Sequence, residues 1–552
     1  MKKKLQFNMW SSSSLFILIT YLLFLVYPIA NILKQALFVN GRLSLENFTM
    51  FFSKSYYSET LLNSFKISIT ATFFALVIGI LLAYLFSMYA FKGKKVLQIL
   101  IIIASMSAPF IGAYSWILLL GRSGVITKFL MSLGFPAFDI YGFSGIVLVF
   151  TLQLFPLIFL YVTGAFSSID NSILEAAESM GCTGFRRFFH VLLPLLTPTI
   201  LAGALLVFMR AFSDFGTPML IGEGYRTFPV LIYTQFISEV GGNSAFASSL
   251  AIIAIIIALT IFLIQKYVAN RNSFSMSSLH PVEAKAVYGM KRVGIYAVMY
   301  GVVFVAMMPQ LYLIYTSFID TKGMVFQKGY SLNSYREAFS RMGPAIYNSL
   351  RISLIALVLV IVLAIFISYL AVRKKNLITG TIDIFSMIPY IVPGTVMGIA
   401  YLTSFNTGIG GSGFMAIAGT ATILIISLTV RRLPYTIRSS VAALMQMPLS
   451  IEEAAESLGS SRLNTFVKIT VPMMLSGIIA GAVLSWITML SELSTSILLY
   501  TVNTRTMPVA IYTEVIRGNY GIAAALSTIL TSITVLSLLL FMKLTKSDSI
   551  TM

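Results

Sequence analysis

The sequence of 552 residues contains few charged side chains, one cysteine and two histidines. Charged residues make up 10% of the sequence, whereas soluble proteins carry about 25%, so a soluble globular class is excluded. The single cysteine, Cys182, rules out an internal disulfide, and so few thiols and imidazoles leave no conventional transition-metal site. The motif GxxxxGK[ST] is also missing, so we expect this chain to bind no ATP or other cofactor and to have no catalytic residues.

Long apolar runs recur throughout the sequence, and 58% of its residues are hydrophobic. A membrane-spanning helix needs about 20 apolar residues, and backbone that crosses a bilayer must be helical or form a closed barrel. Because the runs show no alternation, they predict an all-α membrane protein. We predict twelve spanning helices, at 15–37, 64–88, 97–120, 143–165, 196–213, 247–268, 292–316, 349–371, 381–403, 414–432, 473–490 and 521–543.

The distribution of lysine and arginine predicts the orientation in the bilayer. The first apolar run, Leu15 to Leu37, is too long for a secretion signal and has no cleavage site, so we expect a retained helix. Positively charged loops stay in the cytoplasm, which places both termini inside. The net charge of +19 is then explained by the anionic inner leaflet, and a nucleic-acid partner is not needed. The predicted cytoplasmic clusters are Lys2, Lys3 and Lys4; Lys92, Lys94 and Lys95; Arg186 and Arg187; Arg373, Lys374 and Lys375; Arg431, Arg432 and Arg438; and Lys543 and Lys546.

One polar pattern occurs twice, as SILEAAESMGCTGFRRFFHVLLP at 172–194 and as SIEEAAESLGSSRLNTFVKITVP at 450–472. Further matches in the same order include RTFPVLIYT and RTMPVAIYT, which start at Arg226 and Arg505. Both copies of the pattern fall on the cytoplasmic side, which indicates a parallel repeat. We therefore predict two homologous six-helix halves, 1–268 and 292–552, joined by a cytoplasmic linker at 269–291. Such a duplication also fits several secondary transporters and channels.

Each copy predicts a short helix, a glycine turn and a second short helix beneath the membrane. Serine followed three residues later by glutamate is typical of a capping box. The apolar face is flat, because alanines form its centre, and glycine then ends the helix. A helix resting on lipid is the alternative, but such helices prefer larger apolar residues, so we favour a protein partner. The residues predicted to form this coupling surface are Ser172, Glu175, Ala176, Ala177, Gly181, Pro194, Ser450, Glu453, Ala454, Ala455, Gly459 and Pro472.

These motifs resemble the signature of permease subunits of ABC importers, EAA, three residues, Gly, nine residues and I-x-L-P. Val191 and Val471 are conservative departures from it. Nearly the whole chain is similar to the fused, two-halved permeases for ferric iron, thiamine and 2-aminoethylphosphonate, and SDFGTPMLIG and SELSTSILLY look most like the ferric iron branch.

The resemblance implies a type I ABC importer permease fold in the bacterial cytoplasmic membrane. It also implies that each motif is a coupling helix that docks into a cytoplasmic ABC ATPase. Two ATPase copies would then bind ATP and Mg²⁺, and an extracytoplasmic solute-binding protein would deliver the cargo.

Asp214 and Glu492 occupy equivalent positions at the outer ends of the helices that follow the motifs. Acidic residues at such places often face a cavity or a cation, so these two residues are candidates for the substrate path and for contact with ferric iron. Alternatively, each caps a helix or pairs with Arg210, Arg226 or Arg505. The cargo could also be 2-aminoethylphosphonate, thiamine or a polyamine, and an ion-gradient-driven secondary transporter or a membrane scaffold protein are rivals of another class.

Overall fold

The computed structural model describes residues 9–545 except 40, 107, 138, 238–242, 272–279, 281 and 283. The orientation markers Lys2, Lys3, Lys4 and Lys546, and part of the predicted linker, lie outside the described residues. Most described residues are helical, which confirms the predicted all-α class. Three short strand pairs, β1–β2, β3–β4 and β5–β6, were not predicted.

The helices before the linker are α1 Met9–Tyr21, α2 Tyr27–Leu37, α3 Glu46–Ser53, α4 Ser55–Met88, α5 Lys94–Met106, α6 Pro109–Leu120, α7 Val125–Ser132, α8 Phe143–Phe166, α9 Asn171–Ser179, α10 Gly184–Arg187, α11 Leu193–Ser213, α12 Gly216–Ile221, α13 Phe228–Ile237 and α14 Ser244–Arg271. Those after it are α15 Gly289–Ser317, α16 Asn333–Arg373, α17 Leu377–Ile391, α18 Gly394–Phe405, α19 Ala421–Met445, α20 Leu449–Ser457, α21 Arg462–Thr465, α22 Val471–Met473, α23 Leu475–Leu490, α24 Ser496–Leu499, α25 Met507–Ile516 and α26 Tyr520–Thr545. The strands are β1 Phe38–Val39, β2 Arg42–Leu43, β3 Tyr89–Ala90, β4 Lys285–Ala286, β5 Ile319–Lys322 and β6 Val325–Tyr330.

By length and apolar composition, nine helices within the described ranges could cross a membrane, or up to eleven if two bent pairs each form one span. Ten of the twelve predicted spans correspond to these segments. An eleventh, 97–120, is divided between α5 and the candidate span Pro109–Ser132. The remaining one, 414–432, corresponds to α19, which is long enough but carries Arg431, Arg432 and Arg438. One bent pair, α17 with α18, turns by 111°. Val392 precedes Pro393 there and is extended, as proline requires of the residue before it.

Three five-residue π-helical segments connect α-helices, at Leu22–Val26, Phe188–Leu192 and Phe466–Thr470. Each is followed two residues after its end by a proline: Pro28, Pro194 or Pro472. Proline has no N–H to donate and its ring collides with the carbonyl four residues earlier, so a wider turn is the local solution. The sequence therefore widens the helix in the same way before Pro28 and at the end of both repeated motifs.

The chain forms two compact units. Unit 1 contains the described residues of 9–50, 235–255 and 319–545. Its centre is formed by α16, α19, α23 and α26, and α1 and α2 pack against α17 and α18. The Tyr401 hydroxyl donates to the Phe24 carbonyl at 2.7 Å, and the Asn31 amide donates to Ser404 Oγ at 3.0 Å. The first helices of the chain are thus fastened to helices from the second half of the sequence.

Unit 2 contains the described residues of 51–234 and 256–318. Its centre is formed by α4, α8 and α11, and α15 packs against α5 and α6. The Tyr296 hydroxyl accepts the N–H of Lys92 at 2.9 Å, which fixes the start of α15. Each unit therefore takes its first long helix from the other half of the sequence. The halves 1–268 and 292–552 stay a prediction from the sequence repeat, whereas each compact unit contains helices from both of them.

Candidate coupling and cargo sites

The first repeated motif folds as the first elbow, residues 170–194. Its helix α9 begins after Asp170, whose carboxylate accepts the N–H of Ser172 at 2.9 Å. Glu175 accepts instead from the side chain of Asn171, at 2.7 Å. The predicted capping box between Ser172 and Glu175 is therefore wrong, because Asp170 starts the helix earlier and leaves the serine inside it.

The second motif folds as the second elbow, residues 448–472. Its helix α20 begins after Pro448 and has no side-chain cap. The predicted box between Ser450 and Glu453 is also wrong, because the helix begins at Leu449 and the serine lies inside it.

The glycine turn is the same in both elbows and confirms the prediction. Gly181 has φ of +77° and Gly459 has φ of +89°, in the left-handed region that glycine tolerates. In the first elbow the N–H of Cys182 bonds the carbonyl of Ala177 at 2.8 Å. In the second, the N–H of Ser460 bonds the carbonyl of Ala455 at 3.0 Å. Each turn is a Schellman motif, which ends one helix and redirects the chain into the next.

The predicted alanine face is divided between the interior and the surface. Ala177 and Ala455 are buried, whereas Ala176 and Ala454 are exposed. Large apolar side chains also lie on the surface of the elbows: Met180 is 80% exposed, Phe185 85% and Leu458 90%. Single exposed apolar residues need no explanation, but apolar residues at the same places in two elbows are what a docking surface requires. After each turn the chain runs through a short helix and a π-helical segment to Pro194 or Pro472, as predicted.

The first elbow is held by the linker between the halves. The Asn171 N–H bonds the His280 carbonyl at 2.9 Å, and β4 of the linker runs parallel to β3. Lys285 and Arg187 both lie against the carboxylate of Glu178, with N–O distances of 3.2 and 3.0 Å. The Lys285 ammonium, through its hydrogen bond and its charge, followed by the Arg187 charge, lowers the pKa of Glu178 below its ordinary value. These contacts are polar, and most of them are exposed.

The second elbow is held by a buried ion pair instead. Arg373, the last residue of α16, donates from Nε to Glu452 at 3.0 Å and from Nη2 to the carbonyl of Met447 at 2.8 Å. Both charged side chains are buried, with 11% and 7% of their surface exposed. The repeat places Met88 and Leu174, both buried and apolar, at the equivalent positions of the first half. The ion pair is therefore specific to the second elbow.

Asp214 and Glu492 make the same local contact in the two halves. Asp214 Oδ1 accepts the N–H of Thr217 at 2.8 Å, and Glu492 Oε1 accepts the N–H of Thr495 at 3.2 Å. Each carboxylate caps the turn that follows a long helix. This is the capping role that the sequence left as an alternative.

Glu492 has additional partners within unit 1. Arg431 donates to Glu492 Oε1 at 2.5 Å and to the Thr495 hydroxyl at 2.6 Å, and Arg432 pairs with the other carboxylate oxygen. The Thr495 hydroxyl donates in turn to the carbonyl of Gly394, at the break between α17 and α18. The arginine partners of Glu492 are therefore Arg431 and Arg432. They are not Arg210, Arg226 or Arg505, which the sequence had suggested. Within the described part of the chain, no three His, Cys, Asp or Glu side chains could jointly hold a metal ion.

Sequence reasoning missed the roles of Arg431 and Arg432. The prediction placed them in a cytoplasmic cluster with Arg438 and did not anticipate their burial, since both lie within α19 with only 12% and 14% of their side chains exposed. Two adjacent arginines beside an apolar run were the signal available, since ionisable residues in such segments are usually functional and paired. Identifying Glu492 as the partner required the folded chain.

A bundle of long apolar helices with two equivalent polar elbows defines a membrane permease. The family described as "Binding-protein-dependent transport system inner membrane component" matches residues 75–273 and again 356–546, and the chain belongs to this family. The first match runs from within the predicted first half into the predicted linker, and the second lies within the predicted second half.

Several relatives that are named as transport proteins align with much of the chain. The ferric transport system permease protein FbpB of Actinobacillus pleuropneumoniae is 29% identical and covers 95% of this chain and 77% of its own length. A protein named as a ferric transport system permease in Haemophilus influenzae is 28% identical and covers 90% of this chain and 78% of its own length. One named for 2-aminoethylphosphonate transport in Salmonella typhimurium is 28% identical over 44% of this chain and 87% of its own length.

Proposed function

We propose that this chain is the membrane subunit of an ATP-driven ABC importer for ferric iron and forms the path for its cargo. Membership of the permease family supports the class, and the ferric permeases that align with most of the chain support the cargo. The observation that carries the proposal is the pair of elbows, which repeat the same Schellman turn and expose apolar side chains at equivalent places.

An ATP-driven importer needs a subunit that hydrolyses ATP, and this chain has no phosphate-binding motif of its own. The elbows are the surfaces on which such a subunit would bind. We propose that two copies of a cytoplasmic ABC ATPase dock on them, one per elbow, and carry the ATP and Mg²⁺. A solute-binding protein would deliver cargo on the opposite side. This arrangement places the elbows and both termini in the cytoplasm and the chain in the bacterial cytoplasmic membrane.

The docking proposal is tested by reversing the charge of one exposed glutamate in each elbow. Glu175→Arg together with Glu453→Arg alters the surface of each elbow while leaving the apolar spans unchanged. We expect normal membrane insertion and at least a tenfold loss of ATPase co-purification, the order of effect seen when charged contacts at an interface are broken.

The control is Glu46→Arg with Glu59→Arg, which makes the same charge change at exposed positions outside the elbows. It should leave co-purification intact. ATPase binding that survives in the elbow variant contradicts the docking proposal. Uptake that continues in vesicles without any ATPase would instead indicate a transporter driven by an ion gradient.

The cargo is tested by uptake of radioactive iron against 2-aminoethylphosphonate, in vesicles containing the permease, its ATPase and the solute-binding protein. Asp214→Asn with Glu492→Gln should lower uptake while the ATPase stays bound. Normal uptake by that double variant removes these two carboxylates from the transport path.

A further inference from the structure

The buried cluster around Glu492 has more positive than negative charge. Arg431 and Arg432 share this one carboxylate, and no other acidic partner is found for either among the ion pairs of the described residues. Glu492 is almost fully buried, with 4% of its side chain exposed. Two guanidinium groups and one carboxylate leave one uncompensated positive charge in a place with little water.

Hydrogen bonding in the cluster is also incomplete. The Nε–H groups of Arg431 and Arg432 are buried, and neither has an acceptor. The hydroxyl of Thr395, one residue after Gly394, likewise has no partner. Buried donors that have no protein acceptor are available to hydrogen-bond the oxygen atoms of a ligand. Guanidinium donors are suited to the oxygens of carboxylates, phosphates and phosphonates.

The position of the cluster in the fold is typical of a transport site. Arg431 packs against Gly394, the first residue of α18, and a Cβ added at Gly394 would lie only 2.9 Å from the Arg431 guanidinium. This is the point where the α17–α18 pair turns by 111°. Interrupted helices mark substrate sites in many transporters. The C-terminus of α17 and the N-terminus of α18 meet here, so their partial charges oppose each other and do not neutralise the arginines.

The first half has no such excess. The repeat places Gln153 and Leu154 at the positions of Arg431 and Arg432, while Asp214 keeps the position of Glu492. The two extra cations are therefore specific to the second half, and helix capping alone does not need them.

We propose that Arg431 and Arg432 form a binding site for an oxyanion, which is the anionic part of the transported cargo, and that Glu492 occupies this site when cargo is absent. The inference rests on the proposed import function and specifies its substrate class. Ferric iron would then pass as an anionic carboxylate or phosphate chelate and not as the bare cation. Cargo would compete with Glu492 for the guanidinium groups, and 14% of the Arg432 side chain remains accessible for that exchange.

The test measures binding directly, on the purified full chain in lipid nanodiscs, by calorimetry with citrate, ferric citrate and 2-aminoethylphosphonate. Because no ATPase is present, the result is independent of whether the chain proves to be an ATP-driven importer. We expect Arg432→Gln to weaken oxyanion binding about tenfold or more, the effect of removing a charged hydrogen bond. Glu492→Gln should strengthen binding, because it removes the internal competitor.

The matched control is Arg438→Gln, two turns further along α19, where the arginine pairs with Asp383. It should bind like the wild type. If ferric citrate binds and free citrate does not, the ligand is the chelate; if both bind, the oxyanion alone suffices. The proposal is overturned if no probe binds the wild type or if Arg432→Gln and the control Arg438→Gln lose binding equally. It is also overturned if Glu492→Gln weakens binding. A folded Arg432→Gln chain with unchanged affinity overturns it as well.

Discussion

The two elbows share one backbone turn, yet different forces hold them to the protein. The second is fixed to the end of α16 by the buried pair Arg373–Glu452. The first has apolar residues at those positions and is held by polar, exposed contacts with the linker, including Lys285–Glu178. The backbone turn is therefore common to the two elbows, whereas the attachment to the rest of the protein is different in each. If the elbows dock a partner, the turn serves both of them equally and the attachments do not.

The attachments should respond differently to mutation and to the solvent. A buried ion pair is lost at high cost when one member is removed, because the other charge stays behind. Exposed ion pairs contribute little and are screened by salt. We therefore expect the second elbow to move as one body with α16 and the first to be adjustable through the linker.

The largest effect should come from Arg373→Met, which leaves Glu452 buried without its partner. We expect a destabilisation of about 3 to 5 kcal/mol, seen as a lower midpoint of thermal unfolding and faster hydrogen exchange in α20. Adding Glu452→Leu should restore most of the stability, because the double variant has the apolar pair found in the first half.

Arg341→Met provides the control for that experiment. Arg341 pairs with Glu337 on the surface of α16, with 63% and 48% of the two side chains exposed, so its loss should cost no more than about 1 kcal/mol. Equal destabilisation by Arg373→Met and Arg341→Met would show that the buried pair does not anchor the second elbow.

The linker contact of the first elbow should give a smaller effect that depends on pH. The pKa of Glu178 is lowered in the folded chain, chiefly by Lys285. This contact therefore contributes stability above the unfolded pKa, about 4.3, and loses it as the pH falls through the folded value. Hydrogen exchange in α9 should increase below about pH 4, and it should do so less in Lys285→Ala. If Lys285→Ala leaves the pH dependence of hydrogen exchange unchanged, the response arises from a titratable group other than Glu178.

The helices, the elbows and the glycine turns were predictable from the sequence because each depends on local signals. Apolar length predicts a span, and a glycine after an alanine-rich turn predicts a left-handed cap, as at Gly181 and Gly459. The start of each elbow was not predicted correctly, because Asp170 and Pro448 compete with the serines as helix starts. Local signals of similar strength cannot be ranked without the surrounding chain.

The features that needed three dimensions are those that join distant residues. The packing of α1 and α2 with helices of the second half depends on contacts such as Tyr401 with Phe24. The sequence repeat carries no information about such contacts. The burial of Arg431 and Arg432 depends on Glu492 being folded against them. From sequence alone a charged residue is assigned to the surface unless its counter-charge is known. The buried arginines that distinguish the second half from the first were therefore not predicted.

The smallest effect should be the one that is equal in both elbows. Gly181→Ala and Gly459→Ala place a side chain at positive φ, but nothing lies within 4 Å of either added Cβ. The cost is then backbone strain alone, about 1 kcal/mol in each elbow, measured as equal losses of ATPase affinity or of thermal stability. Asparagine tolerates this conformation better than alanine, so Gly181→Asn and Gly459→Asn should recover part of the loss. Unequal losses would show that the two turns contribute differently to ATPase affinity or to stability, despite their matching hydrogen bonds. The difference between the elbows would then include their proposed docking surfaces as well as their attachments.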